Sequence, residues 1–197
     1  MVFRPTFQAA SSALSFSALL LTSAHTAFAN DTYKIDPEHT FSSFEYQHWG
    51  LSTQRGRFDK NTGSIHVDKE AKSGSINIEI DTTSVNTGST TFDRAMRSSN
   101  FFDAEKFPTI AFASDKLLFD NDKLTQVIGK LTIKDTTLPV TIEITQFNCR
   151  FMILYLKQAC GANGYTKILR SDYKVGRYVP FVSDEVTLYF NVEAIKE

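Results

Sequence analysis

From Ile76 onward the apolar residues of SINIEIDTTSVNT fall on every second position, at Ile76, Ile78 and Ile80, and the same beat recurs in segment after segment beyond residue 30. Successive side chains of a β-strand point to opposite faces, so a period of two marks strands with one dry and one wet face. The parity can be followed along the chain. Phe44, Tyr46 and His48 share a side, as do Gly56 with Phe58 and Ile65 with Val67. Ile110, Phe112 and Ser114 follow, then Val127, Gly129, Leu131 and Ile133, then Val140, Ile142 and Ile144. Ile168 with Arg170, and Val186, Leu188, Phe190 and Val192, close the series. That makes about eight strands, the number at which a barrel interior can just hold a small ligand. The expected fold is all-β, an antiparallel eight-stranded barrel.

Between residues 90 and 103 the beat stops. TTFDRAMRSSNFFD sets Phe92, Ala95, Met96 and Ser99 at helical spacing and ends in an aromatic pair, which predicts a short helix or lid. Asp59-Lys60-Asn61-Thr62-Gly63, Lys72-Ser73-Gly74 and Asp120-Asn121-Asp122-Lys123 read as polar connectors.

Residues 1–29 carry Arg4 near the start, a small and apolar middle, and Ala27-Phe28-Ala29 at the end, the pattern of a secretory signal peptide cleaved after Ala29. The apolar stretch is short of the roughly 20 residues a membrane-spanning helix needs, and Ser, Thr and His interrupt it. Residues 30–197 then form one domain. With 21 Lys and Arg against 22 Asp and Glu in the whole chain, and only Arg4 charged in the leader, no charge excess directs the domain to nucleic acid or to an anionic surface. Two cysteines in an exported chain favour a Cys149–Cys160 disulfide closing NCRFMILYLKQAC, with a pair of buried free thiols as the alternative. Zinc is disfavoured, because neither cysteine has a His or a further Cys at ligand spacing.

Few residues are placed for chemistry. His39 and His48 lie on opposite parities and His66 alternates with Ile65 and Val67, so the three imidazoles are not gathered for a metal. There is no G-x-S-x-G elbow and no glycine-rich phosphate cradle, and Glu79 and Glu143 sit on solvated parities. An enzyme is not expected. Aromatic content stands out instead, with 17 Phe, 7 Tyr and 1 Trp. Such rings line an apolar cavity as readily as they fill one. Gly56 and Gly129 inside strands favour the cavity, by leaving room near the backbone.

The run Tyr33-Lys34-Ile35-Asp36-Pro37-Glu38-His39-Thr40-Phe41-Ser42-Ser43-Phe44, with His48 and Gly56-Arg57-Phe58, resembles the opening of the YceI-like family. Thr83-Ser84-Val85-Asn86-Thr87, Asp93-Arg94, Met96-Arg97-Ser98, Phe101-Phe102-Asp103 and Phe107-Pro108 resemble its middle. Gly129 to Ile133, Leu138-Pro139-Val140, Cys160-Gly161-Ala162-Asn163, Arg170-Ser171-Asp172-Tyr173 and Ser183-Asp184-Glu185-Val186 match its later part, in a branch with a cysteine pair. Thr40 and Met96 stand where the family commonly has Ser and Leu, and Tyr173-Lys174 replaces a frequent Phe-Gly, which bears on one loop at the barrel end.

The resemblance implies a lipocalin-like barrel, exported to the bacterial periplasm, that carries a polyisoprenoid or similar fatty amphiphile and is not an enzyme. The expected ligand wall is Phe44, Tyr46, Phe58, Ile78, Phe112, Leu131, Ile142 and Phe190, with His48, Arg94, Arg97 or Arg170 at a polar mouth. No cofactor or metal, no nucleic acid and no stable membrane insertion are expected, and a homodimer is left open. The rival reading is a secreted interaction protein whose barrel is filled by its own side chains.

Overall fold

The structure, a computed structural model, describes Met1 and residues 31–68 and 71–197; the expected signal peptide and its cleavage site lie outside the described residues. The strands are β1 (Asp31–Ile35), β2 (Phe41–His48), β3 (Ser52–Phe58), β4 (Asn61–Asp68), β5 (Ser73–Asp81) and β6 (Val85–Asn86), followed by a helix, α1 (Thr90–Arg97). Then come β7 (Thr109–Asp120), β8 (Lys123–Ile133), β9 (Thr136–Met152), β10 (Lys157–Leu169) and β11 (Glu185–Lys196). They make one sheet that closes on itself through a β1–β11 pairing.

Three staves of this barrel are composite. β1 pairs with Ala194–Lys196 of β11, and β2 continues along the same strand opposite Thr187–Asn191. β4 and β3 follow on β1 and β2, while β5 and β6 follow on β4 and β3. Taken as staves, β1/β2, β3/β4, β5/β6 and β7 to β11 form a closed antiparallel eight-stranded barrel, with one short α-helix among the described residues.

Side chains repair the ladder where one strand hands over to the next. Between β1 and β2, the Thr40 hydroxyl donates to the Glu193 carbonyl (3.2 Å) and accepts from the Glu193 N–H (3.1 Å). A hydroxyl is all this needs, so Thr serves as Ser would. Between β3 and β4, fully buried Asn61 donates to the carbonyls of Thr40 (3.2 Å) and Phe58 (3.0 Å) and accepts from Ser42 Oγ (2.7 Å). Buried polar groups must be paired in this way. The expected connector at Asp59–Gly63 is thus a kink inside a stave, because Asn61 and Gly63 pair with Ile80 and Ile78.

Inward parity alone does not give one uniform core. Ile78, Phe112, Val127 and Ile142 are all less than a tenth exposed and form a dry waist across β5, β7, β8 and β9. Beyond it, at the end of the β9–β10 hairpin, lies a smaller void of about 50 Å³ lined by Tyr33, Phe147 and the cysteines, among others. Cys149 and Cys160 are bonded and face each other across β9 and β10, Cα to Cα 4.0 Å, so the disulfide pins the register of that hairpin.

Buried Tyr173, after β10, gives the fold a pH limit. Burial pushes its phenol up to about 12, with Asp172 adding to the shift, and burial also raises Tyr33 and Tyr46. A group that holds its proton more tightly when folded stabilises the protein below its unfolded pKa and ceases to do so as pH climbs through the folded one. Urea unfolding should therefore show stability falling by on the order of 2 kcal/mol between about pH 10 and pH 12. Tyr173→Phe should flatten that decline, and an unchanged slope in the variant would locate the titration elsewhere.

Candidate functional site

On the other side of the waist the barrel opens. A cavity of about 530 Å³ runs from Leu131 on β8 up to the ends of β2, β3, β10 and β11. Its barrel wall is Ile80 and Ile110, Leu131 and Ile133, Ile168, and the β11 parity Val186, Leu188 and Phe190. Leu188 and Phe190 pack against the core yet are only partly buried although they point inward, since part of each also faces this space.

One side of the mouth is built by α1 and the residues after it. Asp93 fastens the helix by accepting from the Thr87 N–H and hydroxyl, both at 2.7 Å, and these bonds hold its carboxyl below the usual carboxylate range. Phe92, Ala95 and Met96 then share the face turned to the cavity, as residues three and four apart must. Phe102 meets the Phe58 ring edge-on at 5.3 Å, and Phe58 in turn packs on Phe44 at 5.8 Å. Such pairs add to what area burial alone supplies.

The opposite side is the loop from Lys174 to Asp184, held by Arg170. The guanidinium is buried and donates to four carbonyls: Nε to Ser183 (2.7 Å), Nη1 to Val175 and Arg177 (both 2.8 Å), and Nη2 to Val182 (2.9 Å). That occupies four of the five donors a guanidinium has. Burial lowers its pKa from the ordinary value, while Asp184 and Tyr46 pull the other way. Trp49, in the β2–β3 turn, stacks on Phe181 of this loop at 4.7 Å, each ring next in sequence to a lining residue, His48 and Val182.

The polar groups gather at this mouth. Tyr46, His48, Gln54, Asn100 and Arg177 line its outer part. Arg177 Nη1 donates to Asn100 Oδ1 at 2.6 Å and so links the two sides of the opening.

Of the residues expected to hold a ligand, Phe44, Tyr46, His48, Phe58, Leu131, Arg170 and Phe190 line the cavity. Ile78, Phe112 and Ile142 belong to the waist beneath it, and Arg94 is exposed on the outer face of α1. Arg97 reaches back to the Thr83 carbonyl at 3.4 Å. The lining residues of the loop, Val175, Arg177, Tyr178 and Val182, carry no strand signal, because no period runs through them. The apolar run Tyr178-Val179-Pro180-Phe181-Val182 within a turn-rich stretch was the available signal.

The strand glycines play a different part from the one expected. A Cβ on Gly56 would lie 2.5 Å from the tip of the Phe44 ring, and one on Gly129 would lie 2.4 Å from the Ala113 carbonyl oxygen and 2.7 Å from the tip of the Phe112 ring. Each glycine makes room for an aromatic ring lying across the backbone, not for a ligand. Gly56→Ala should cost about 1–3 kcal/mol of stability and push Phe44 toward the cavity. Gly161→Ala, where a Cβ meets its nearest neighbours at 3.7 Å, should be close to neutral in the same urea titration. Equal costs at both positions would refute the assignment.

Fold and site together define a lipocalin-like β-barrel with an apolar cavity open at one end. The chain belongs to the YceI-like family: the family model for the YceI-like domain matches residues 33–194. It is 34% identical over 187 residues to Protein YceI of Escherichia coli O6:H1, covering 93% of this chain and 96% of the relative. Among solved structures it resembles BcnA of Burkholderia cenocepacia, with a TM-score of 0.67 at 24% identity, over 81% of this chain and 98% of the other. It also resembles a polyisoprenoid binding domain from Saccharophagus degradans implicated in plant cell wall breakdown, with a TM-score of 0.65 at 16% identity, over 84% and 98%.

Proposed function

We propose that this protein is an exported carrier, working in the periplasm, that holds the tail of an isoprenoid-type lipid in the barrel and its polar head at the mouth. Residues 30–197 form the binding domain and residues 1–29 the export signal. The observation that carries the reading is the cavity itself, about 530 Å³ of largely apolar wall ending at Tyr46, His48 and Arg177. The barrel shared with the Saccharophagus domain supports the choice of ligand class. A barrel filled by its own side chains leaves this cavity unaccounted for. Transfer or sequestration of lipid needs no bond to be made or broken, and the groups at the mouth serve as hydrogen-bonding partners for a head group.

The volume supports a short tail. At about 30 Å³ for each water-sized group, the cavity encloses roughly 18 heavy atoms, or three to four isoprene units. Affinity for a series of prenyl quinones should therefore rise by about tenfold or more per isoprene unit up to that length, then level off as further units stay in water. The single Trp of the chain, Trp49, stands at the rim, where a bound quinone head would quench it. Absence of quenching and of uptake across the whole series would defeat the proposal.

A further inference from the structure

The end of the barrel away from the cavity carries a second apolar feature. β9 pairs with β8 only as far as Glu143, yet runs on to Met152, and β10 begins at Lys157, two residues before its first partner on β11. Residues 151–157 therefore project past the sheet as a two-stranded tip, braced at its base by the Cys149–Cys160 disulfide and by Gln158, which accepts from the Tyr33 hydroxyl at 3.0 Å.

The tip violates the rules of an exposed turn. Hairpin turns favour Gly, Asn and Asp, above all where φ is positive. Here the turn is Met152-Ile153-Leu154-Tyr155-Leu156, with Leu156 at φ +50°. Ile153, Leu154 and Leu156 are 82%, 81% and 74% exposed, and Phe151 beside them is exposed as well. These side chains contribute little to the fold, so water-exposed aliphatic residues at an unfavourable backbone position call for something outside the chain to cover them.

Charge identifies what covers them. From Ile144 to Ser171 the chain has no Asp or Glu, although acidic and basic residues are balanced over the whole protein. Arg150 and Lys157 are exposed on either side of the apolar tip, and neither forms an ion pair among the described residues. An aliphatic tip bordered by cations, with a Tyr between, matches the boundary between acyl chains and anionic head groups. A convex tip suits a fluid surface. A turn cannot satisfy its backbone groups inside hydrocarbon, so it enters only the interface and does not span.

We infer that the 151–156 tip is a docking element that inserts shallowly into a lipid bilayer containing anionic lipids. Since β10 leads from the tip to Arg170 at the mouth over 13 residues, about 40 Å of strand, the docked barrel holds its mouth away from that bilayer. The tip thus tethers the protein, and the inference stands whatever the cavity carries.

The test is flotation of the purified protein with vesicles of phosphatidylglycerol and phosphatidylcholine, against vesicles of phosphatidylcholine alone. The protein should float with the anionic vesicles. Replacing Ile153→Asp together with Leu154→Asp should reduce the bound fraction by about tenfold or more. Arg150→Glu with Lys157→Glu should abolish the preference for anionic lipid. Leu154→Trp should give an emission quenched by brominated lipid, while wild-type Trp49, at the far end, is not. All tip variants should keep the native circular dichroism and the same prenyl quinone uptake, which separates this inference from the carrier reading. Wild-type protein that stays in solution, or a double-Asp variant that floats equally well, would overturn it. So would a wild-type dimer that the double-Asp change splits without any vesicle binding, since the tip would then belong to a second copy.

Discussion

Replacing Arg170 by methionine is expected to cost about 4 kcal/mol of stability and to loosen the loop from Lys174 to Asp184. Methionine keeps much of the apolar volume but strands the carbonyls of Val175, Arg177, Val182 and Ser183, each of which now accepts from the guanidinium. These bonds are charge-assisted and largely shielded from water, so water recovers little of the loss. Lysine should not rescue the site, because an ammonium has three donors on a flexible stem and cannot span the same fork of acceptors. Chemical denaturation gives the magnitude. Hydrogen exchange gives the location: the amides of Val175 and Val182, bonded to the carbonyls of Arg170 and Tyr178, should lose protection before those of β8. A uniform loss of protection across the barrel would mean that Arg170 supports the whole fold and not the mouth.

Leu188→Glu should remove lipid binding while leaving the barrel folded. Leu188 lies midway along the β11 wall, between Val186 and Phe190, with its inner face toward open space. A carboxylate there can keep water in the empty protein, so the cost to folding is modest. A bound tail would strip that water and leave an unpaired charge against hydrocarbon, which costs several kcal/mol or forces the carboxyl to take up a proton. Affinity for a prenyl quinone should fall by about 100-fold or more at pH 7, and part of it should return as the pH is lowered and the carboxyl is neutralised. Val127→Glu, in the waist, should instead destabilise the fold itself. If both substitutions left binding intact, the cavity would not be where the tail resides.

Much of the barrel is written in the alternation, because a strand with water on one side and a core on the other must repeat every two residues. Phe44, Tyr46 and His48 point inward as their shared parity requires, and so do Val186, Leu188 and Phe190. Parity says nothing, however, about height along the barrel axis. Ile78 and Ile80 are equivalent by that rule, yet Ile80 lines the cavity and Ile78 belongs to the waist; Ile110 and Phe112 divide in the same way. Height depends on the register between strands, fixed by pairings such as Ile80 with Ile110 and Phe112 with Leu131, distant in the chain. The mouth was less legible still. Arg170 finds its partners among backbone carbonyls, which carry no residue identity, and the Gly56–Phe44 contact is a cross-strand pair that no local pattern announces. β1 has five residues, too few for a clear beat.

The cavity is the centre of this account, and its occupant can be identified directly. Protein purified from the periplasm under non-denaturing conditions should, by native mass spectrometry, carry a single lipid-sized adduct. Extraction should release an isoprenoid-tailed molecule, and the Leu188→Glu variant purified in parallel should be free of it. Wild-type protein that shows only its own mass and takes up no prenyl lipid when supplied with one would contradict the claim that this barrel is a lipid carrier.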